Sequence, residues 1–214
     1  KWAEYWLKKT KKKGIAFAGG LSMNIKANGE LLKSPLVRWL SVPASGGDES
    51  LSIGACFYTS INKKIRTYSM KTPFLGSSSI LDESWYNRLN ETKMNKNDFL
   101  FINNFNHKKV AKLLFHDEIL ARCAGRAEFG ARALGNRSII ANPGNVENIK
   151  KINNLIKNRD FWMPFTPSIL AEKSNSFLYN DKNIHSPYMT LGFDTKPIAH
   201  LSIKGCLHPA DNSA

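Results

Sequence analysis

Between positions 125 and 138 the chain reads Gly125-Arg126-Ala127-Glu128-Phe129-Gly130-Ala131-Arg132-Ala133-Leu134-Gly135-Asn136-Arg137-Ser138, three arginines among three glycines. Ordinary helices and strands do not need that pattern. Glycine lets the backbone approach a ligand closely or take positive φ, and a guanidinium fork matches phosphate or carboxylate oxygens two at a time. Together they describe a cradle for a phosphate or acyl phosphate. The plainer alternative is a loop whose arginines pair with local carboxylates such as Glu128. A second basic pair, Lys157 and Arg159, precedes Trp162, Met163, Pro164, Phe165, Thr166, Pro167 and Ser168. Two prolines three apart fix an extended path, and the aromatics either wall a pocket or pack in a core. An Asn/Lys-rich helix of modest length separates the two basic clusters, so both can line one cleft.

Two glycine pairs stand earlier. Gly19 and Gly20 follow the apolar run Ile15-Ala16-Phe17-Ala18, and Gly46 and Gly47 precede Asp48. A carboxylate in that position serves equally well as a helix N-cap or as a metal ligand. His107, His116, His185, His200 and His208 are scattered without metal-ligand spacing, so packing or surface roles are expected of them. Cys56, Cys123 and Cys206 are odd in number and lack C-x-x-C spacing, which leads us to expect reduced, mostly buried thiols. There is no serine-hydrolase elbow and no Walker loop.

The elements that must position these residues follow from periodicity and breakers. Trp2, Tyr5, Trp6 and Leu7 mark an amphipathic helix ending near Lys13, and Gly14 releases a short buried strand over 15–18. A helix over Ser22–Leu32, a strand over Leu36–Val42 and a helix over Glu49–Ser60 come next, an α/β order with glycine turns at strand ends. Residues 61–105 are turn-rich, with Pro73, Gly76 and a polar helix over Asp82–Leu89. Beyond 106 comes a helix carrying Val110, Leu113 and Leu114, then an apolar stretch over Ile119–Cys123. With 214 residues and 42% apolar content the chain can bury one good core or two modest ones. Its charge of +14 suits a polyanion, although many of the lysines form solvated runs. No stretch approaches the roughly 18–20 apolar residues of a membrane-spanning helix, so a cytoplasmic protein is expected. Lys1 at the start and the loop-like His208–Ala214 at the end suggest an excerpt of a longer protein.

G-R-x-E-F-G-x-R-A-L-G-N-R-S-I, then K-x-R-x-x-x-P-F-x-P-S, is similar to the C-terminal half of the NodU/CmcH carbamoyltransferases. Ala18–Asn24, Ala27-Asn28-Gly29, Gly46-Gly47-Asp48-Glu49-Ser50, Ser186-Pro187-Tyr188-Met189 and His208-Pro209-Ala210-Asp211 also resemble that family, in its order and over nearly the whole chain. The resemblance implies that residues 1–62 end a domain of the actin/sugar-kinase/heat-shock ATPase type. A connector over 63–105 and a truncated YrdC-like twisted mixed sheet over 106–214 would follow. It implies an ATP-dependent O-carbamoyltransferase: carbamoyl phosphate and ATP give carbamoyl-adenylate, and the carbamoyl group passes to a hydroxyl of a sugar, oligosaccharide or secondary metabolite. Arg126, Arg132, Arg137, Lys157 and Arg159 match the family's catalytic basic positions. Gly19, Gly20, Asn24, Gly130, Gly135, Asn136 and Ser138 match nucleotide or phosphate contacts. Asp48 matches a ligand of a divalent metal, Fe2+, whose histidine ligands would lie upstream, and Mg2+ would accompany the nucleotide. Ala131 stands where proline is common, Met163 where arginine is expected and Thr166 where alanine is expected.

Two other readings compete. YrdC-like folds also occur in tRNA-modifying proteins, and the lysines suit a phosphate backbone, but the aromatic platform that stacks bases is missing, so nucleic acid is disfavoured. The piece could also bind ligand without turnover. No membrane partner is expected, and neither the acceptor nor the oligomeric state is legible.

Overall fold

The computed structural model describes residues 1–78, 106–160 and 162–214. Helix α1 (Trp2–Thr10) stops at Lys11, which takes the left-handed conformation at φ 56. The helix is present, but its faces are the reverse of the aromatic expectation. Leu7 is its buried residue, while Trp2, Tyr5 and Trp6 lie outside, with the Lys9 ammonium over the Trp6 ring at 4.9 Å. The slender aliphatic chain fits the small core, and the large rings keep their area by stacking with a cation.

Strand β1 (Gly14–Ala16) pairs in parallel with β2 (Trp39–Ser41), Gly14 opposite Trp39. A side chain at Gly14 would overlap the Trp39 ring, so the close pairing depends on glycine there. Parallel neighbours need a crossover, and α2 (Ile25–Lys33) supplies it. The helix begins later than its apolar pattern suggests. Gly20–Met23 forms a 3-10 turn, and Asn24 then caps α2, its Oδ1 accepting the Ala27 N–H at 3.0 Å. Strand β2 is also shorter than expected because Val37 N–H donates back to Ser34 O in a turn behind Pro35. After a 3-10 turn at Asp48–Ser50 comes α3 (Leu51–Asn62).

Helix α4 (His107–Phe115) is capped by Asn106. Strands β3 (Leu120–Cys123) and β4 (Arg137–Ile140) form an antiparallel hairpin, Cys123 opposite Arg137. The arginine-rich segment is therefore the long hairpin connection. Asn145 caps α5 (Val146–Lys151), which widens into a π turn over Ile152–Lys157 and ends at Asn158, φ 46. Short helices α6 (Ser174–Phe177) and α7 (Ala199–Ser202) complete the chain. The result is a small mixed α/β fold. The helix expected over 82–89 lies outside the described residues.

The main core gathers Leu7, Leu32, Val37, Leu40, Val42 and Leu191, with Ile184 and Phe193 packed against it. Distant residues thus complete the first unit. The backbone at Gly192 lies so close to α2 that a Cβ on Gly29 would sit 2.8 Å from Gly192 O. The fully buried Asn28 donates from Nδ2 to Ser22 O and Thr190 O, both at 2.7 Å. Lys182 Nζ donates to the carbonyls of Leu32, Ser34 and Val37 around the carboxyl end of α2, where a cation is favoured. A second cluster holds Ala199, Ile203, Cys206 and Leu207.

The thiols differ from expectation. Cys206 is buried, and desolvation pushes it up to about 12, but Cys56 and Cys123 are exposed. Both lie on elements with no buried residue, α3 and β3, so the usual burial of free cysteine has no core to draw on at those positions.

Candidate functional site

One side chain organises the arginine loop. Glu128 Oε1 accepts the backbone N–H groups of Leu134 at 2.9 Å, Asn136 at 2.7 Å and Arg137 at 3.1 Å. Burial opposes ionisation of this carboxyl, but amides including those of Asn136, Leu134 and Arg137 outweigh it and hold it below the usual carboxylate range. The loop is closed further by Ala124 N–H to Asn136 O, Asn136 Nδ2 to Arg126 O and Gly135 N–H to Ser138 Oγ. Gly125, Gly130 and Gly135 all take positive φ, as the turns require. Glu128 therefore spends itself on the main chain. Among the described residues no arginine forms an ion pair with a carboxylate, Glu128 included.

The five basic candidates separate into three groups. Arg126 donates from Nε to Gly76 O at 2.9 Å and from Nη2 to Leu75 O at 3.0 Å, beside a main-chain pairing of 76–78 with 126–127. Arg137 donates to the carbonyls of Ala124, Gly125 and Asn136. These two forks donate to backbone carbonyls, since closing a long hairpin connection leaves carbonyls that need donors. Lys157 is exposed at the end of the π turn.

Arg132 and Arg159 lie near enough for their charges to oppose one another. Arg132 Nη2 donates to Met23 O at 3.5 Å, while its Nε is buried with no hydrogen-bond partner. Arg159 Nε donates to Oδ1 of the fully buried Asn153 at 2.7 Å, and its guanidinium lies 4.5 Å from the Phe165 ring centre. Burial, and after it the charge of Arg132, push Arg159 below the ordinary arginine range. Two guanidiniums that repel one another, one with a buried unpaired N–H, are stabilised by an anion between them.

The loop also meets the earlier glycine segments. A Cβ on Gly130, φ 115, would lie 2.6 Å from Ala44 O, and one on Gly46 would overlap Ser22 Oγ. Gly46 N–H donates to Met23 Sδ at 3.4 Å. The turn 19–24, the loop 44–47 and residues 130–132 therefore adjoin. Gly19 and Gly20 are exposed on this turn, Gly19 at φ 93 with its carbonyl accepting Ser22 N–H. Asn24 is committed to capping α2, and Gly135, Asn136 and Ser138 serve the internal bonding of the loop.

Asp48 is exposed, and the cap of the following turn is Gly47. Among the described residues no group of three or more His, Cys, Asp or Glu can hold a metal. One exposed carboxylate does not satisfy a divalent cation, so the described residues by themselves do not fit the implied metal. Sequence reasoning missed Ser22, whose buried Oγ lacks a partner, and Asn153, which orients Arg159. Nothing local in the sequence marks Ser22, and nothing there separates Asn153 from its neighbour Asn154, of which only Asn153 is buried. Two concavities are lined by residues other than Arg132 and Arg159, one of about 380 Å³ along α3 and one of about 160 Å³ between α2 and residues 179–194.

Residues 111–214 match the family described as carbamoyltransferase C-terminus. The chain is similar to the uncharacterized protein MJ1051 of Methanocaldococcus jannaschii, 34% identical over 91% of this chain and 36% of that protein. Nodulation protein NolNO of Sinorhizobium fredii is 28% identical over 83% of this chain and 26% of its own length. Nodulation protein U of Azorhizobium caulinodans is 30% identical over 76% and 27%. The chain spans between about a quarter and about a third of the length of these curated relatives.

Proposed function

The chain belongs to the NodU/CmcH family of carbamoyltransferases, and from that premise we propose that it carries the donor-gripping part of an ATP-dependent O-carbamoyltransferase. The observation that carries this is Arg132 and Arg159: two guanidiniums near enough for their charges to oppose one another, no carboxylate ion-paired to either among the described residues, and one buried N–H without a partner. Such a pair lets two polyanions, ATP and carbamoyl phosphate, approach despite their repulsion, and stabilises charge developing on the attacked α-phosphate.

Conversion of carbamoyl phosphate and ATP to carbamoyl-adenylate releases pyrophosphate and phosphate and consumes one water. The carbamoyl carbon is then attacked by the acceptor hydroxyl, the hydroxyl proton is lost, and AMP departs. Arg132, fixed by Met23 O, and Arg159, fixed by Asn153 and Phe165, orient the donor in the first step. No protein nucleophile is required. Magnesium accompanying the nucleotide would supply further charge neutralisation, and no step is assigned to Asp48 or to a metal held by it.

The finer family picture belongs to the same proposal: residues 1–62 ending an actin/sugar-kinase/heat-shock ATPase-like domain, residues 106–214 a YrdC-like unit, an acceptor that is a sugar or secondary-metabolite hydroxyl, and a cytoplasmic location. Among the described residues no helix is long and apolar enough to cross a membrane. In the full-length protein, label should exchange between pyrophosphate and ATP only when carbamoyl phosphate is present. Exchange that ignores carbamoyl phosphate, or its complete absence in the intact protein, would sink the proposal.

A further inference from the structure

Helix α1 and the residues that follow it bring aromatic rings and ammonium groups to the surface together. Trp2, Tyr5, Trp6 and Lys9 stand at i, i+3, i+4 and i+7, which is one face of a helix, and Leu7, the buried residue of α1, lies on the opposite side. The three rings are 78%, 56% and 41% exposed. Lys8, Lys9, Lys11, Lys12 and Lys13 are exposed as well, and among the described residues none of the five forms an ion pair with a carboxylate. Glu4, the single acid of α1, accepts from Ser34 Oγ at 2.8 Å. The exposed Arg38, whose N–H donates to Lys13 O at 2.7 Å, extends the basic surface.

Two properties limit what this surface can meet. Five ammoniums without carboxylate partners do not enter a protein interior, because their desolvation is not repaid, so an apolar segment does not cover them. Three large exposed rings on one helix face, in turn, are more than a solvated lysine run needs and mark an interaction site. The partner must supply anionic groups beside a layer that accepts amphipathic rings. An anionic lipid surface has both: headgroup phosphates attract lysine, and Trp and Tyr settle at the boundary between headgroups and acyl chains. Nucleic acid supplies the phosphates, but its bases stack on free ring faces. Here Tyr5 and Trp6 meet edge to face with centres 5.4 Å apart, and the Lys9 ammonium lies over both rings, 5.7 Å and 4.9 Å from their centres. We propose that α1 and Lys11–Lys13 dock the protein peripherally on an anionic lipid bilayer, the helix lying in the headgroup plane with its aromatic stripe toward the acyl chains. A helix that lies on a membrane needs no spanning segment, so the lack of a long apolar helix among the described residues does not oppose it. This inference does not depend on the reaction.

The test is co-sedimentation of the full-length protein with lipid vesicles. Vesicles of phosphatidylglycerol mixed with phosphatidylcholine should bind it at least about 100-fold more tightly than phosphatidylcholine alone, since each lysine near an anionic surface contributes about fivefold. Binding should weaken as salt rises. Lys8→Glu combined with Lys12→Glu should lower the affinity at least about 100-fold. Trp2→Ser, at the most exposed of the three rings, should lower it at least about 10-fold with the melting temperature unchanged. Lys108→Glu combined with Lys112→Glu, which reverses the same charge on exposed positions of α4, should leave it within about threefold of the parent. No vesicle binding, equal affinity for the two lipid compositions, an α4 pair as damaging as the α1 pair, or a single-stranded RNA that displaces the vesicles and is itself held through Trp2, Lys8 and Lys12 would each overturn the proposal.

Discussion

The guanidinium of Arg132 donates to the main-chain carbonyl of Met23, 109 positions earlier, and this contact joins the arginine loop to the glycine turn at 19–24. Because only the edge of the fork is used, and Nε is buried without a partner, the side chain keeps donors for a ligand. Arg132→Ala should lower carbamoyl-phosphate-dependent pyrophosphate exchange by about two orders of magnitude, the usual loss when one preorganised donor is removed. Circular dichroism should stay unchanged. Exchange at the parent rate would remove Arg132 from the site.

Arg126 predicts the opposite split. Its fork binds the carbonyls of Leu75 and Gly76, so Arg126→Ala should reduce thermal stability, by about 1 kcal/mol per hydrogen bond lost. Titration of the variant with ATP should give a Kd within a few-fold of the parent once the protein is folded. A variant with parent stability and no ATP binding would return Arg126 to the ligand.

Glu128 makes the loop sensitive to acid. Its folded pKa is below the unfolded one, so its stabilisation is complete above roughly pH 4.3, the ordinary glutamate value, and is lost as pH falls through the folded value. Denaturant unfolding as a function of pH should show this loss in the parent. Glu128→Gln, which keeps an acceptor oxygen but cannot titrate, should be less stable at neutral pH and flatter in that acid range.

Gly130→Ala places a Cβ 2.6 Å from Ala44 O at φ 115, where neither backbone can give way cheaply. The expected result is a displaced arginine loop, read as a lowered melting temperature together with a loss of ATP-induced stabilisation. An alanine variant that melts and binds like the parent would show that the loop does not pack on 44–45.

Asn28 is the hinge between the glycine turn and the distal chain. Asn28→Ala leaves the buried carbonyls of Ser22 and Thr190 without their donor and should cost about 3 kcal/mol, measured as a shift in the urea midpoint. Asn28→Asp should do at least as much harm, because a carboxylate then faces two carbonyl oxygens.

Much of this was legible wherever the signal is local. Glycines at 125, 130 and 135 announced positive-φ turns, and apolar runs located β1, α2 and β2 within a few residues. The partners of those residues were not legible. Nothing near Arg126 points to the carbonyls of Leu75 and Gly76, and nothing near Leu191 places it in the first core, because periodicity reports which face is apolar and not what covers it. The faces of α1 illustrate this: three aromatics dominate its hydrophobicity, yet Leu7 fits the space. The role of Glu128 was hidden because a carboxylate among arginines suggests an ion pair, while backbone amides in a tight loop compete for it at shorter range.

The inclusion of Leu191 in the cluster around Val37 and Leu40 bears on how the chain is made. A ribosome releasing the polypeptide from its amino end delivers β1, α2 and β2 well before residue 191 emerges. During that interval the nascent segment exposes an unfinished apolar surface, and closure must wait for loop formation across roughly 150 positions, which is slow and invites chaperone capture.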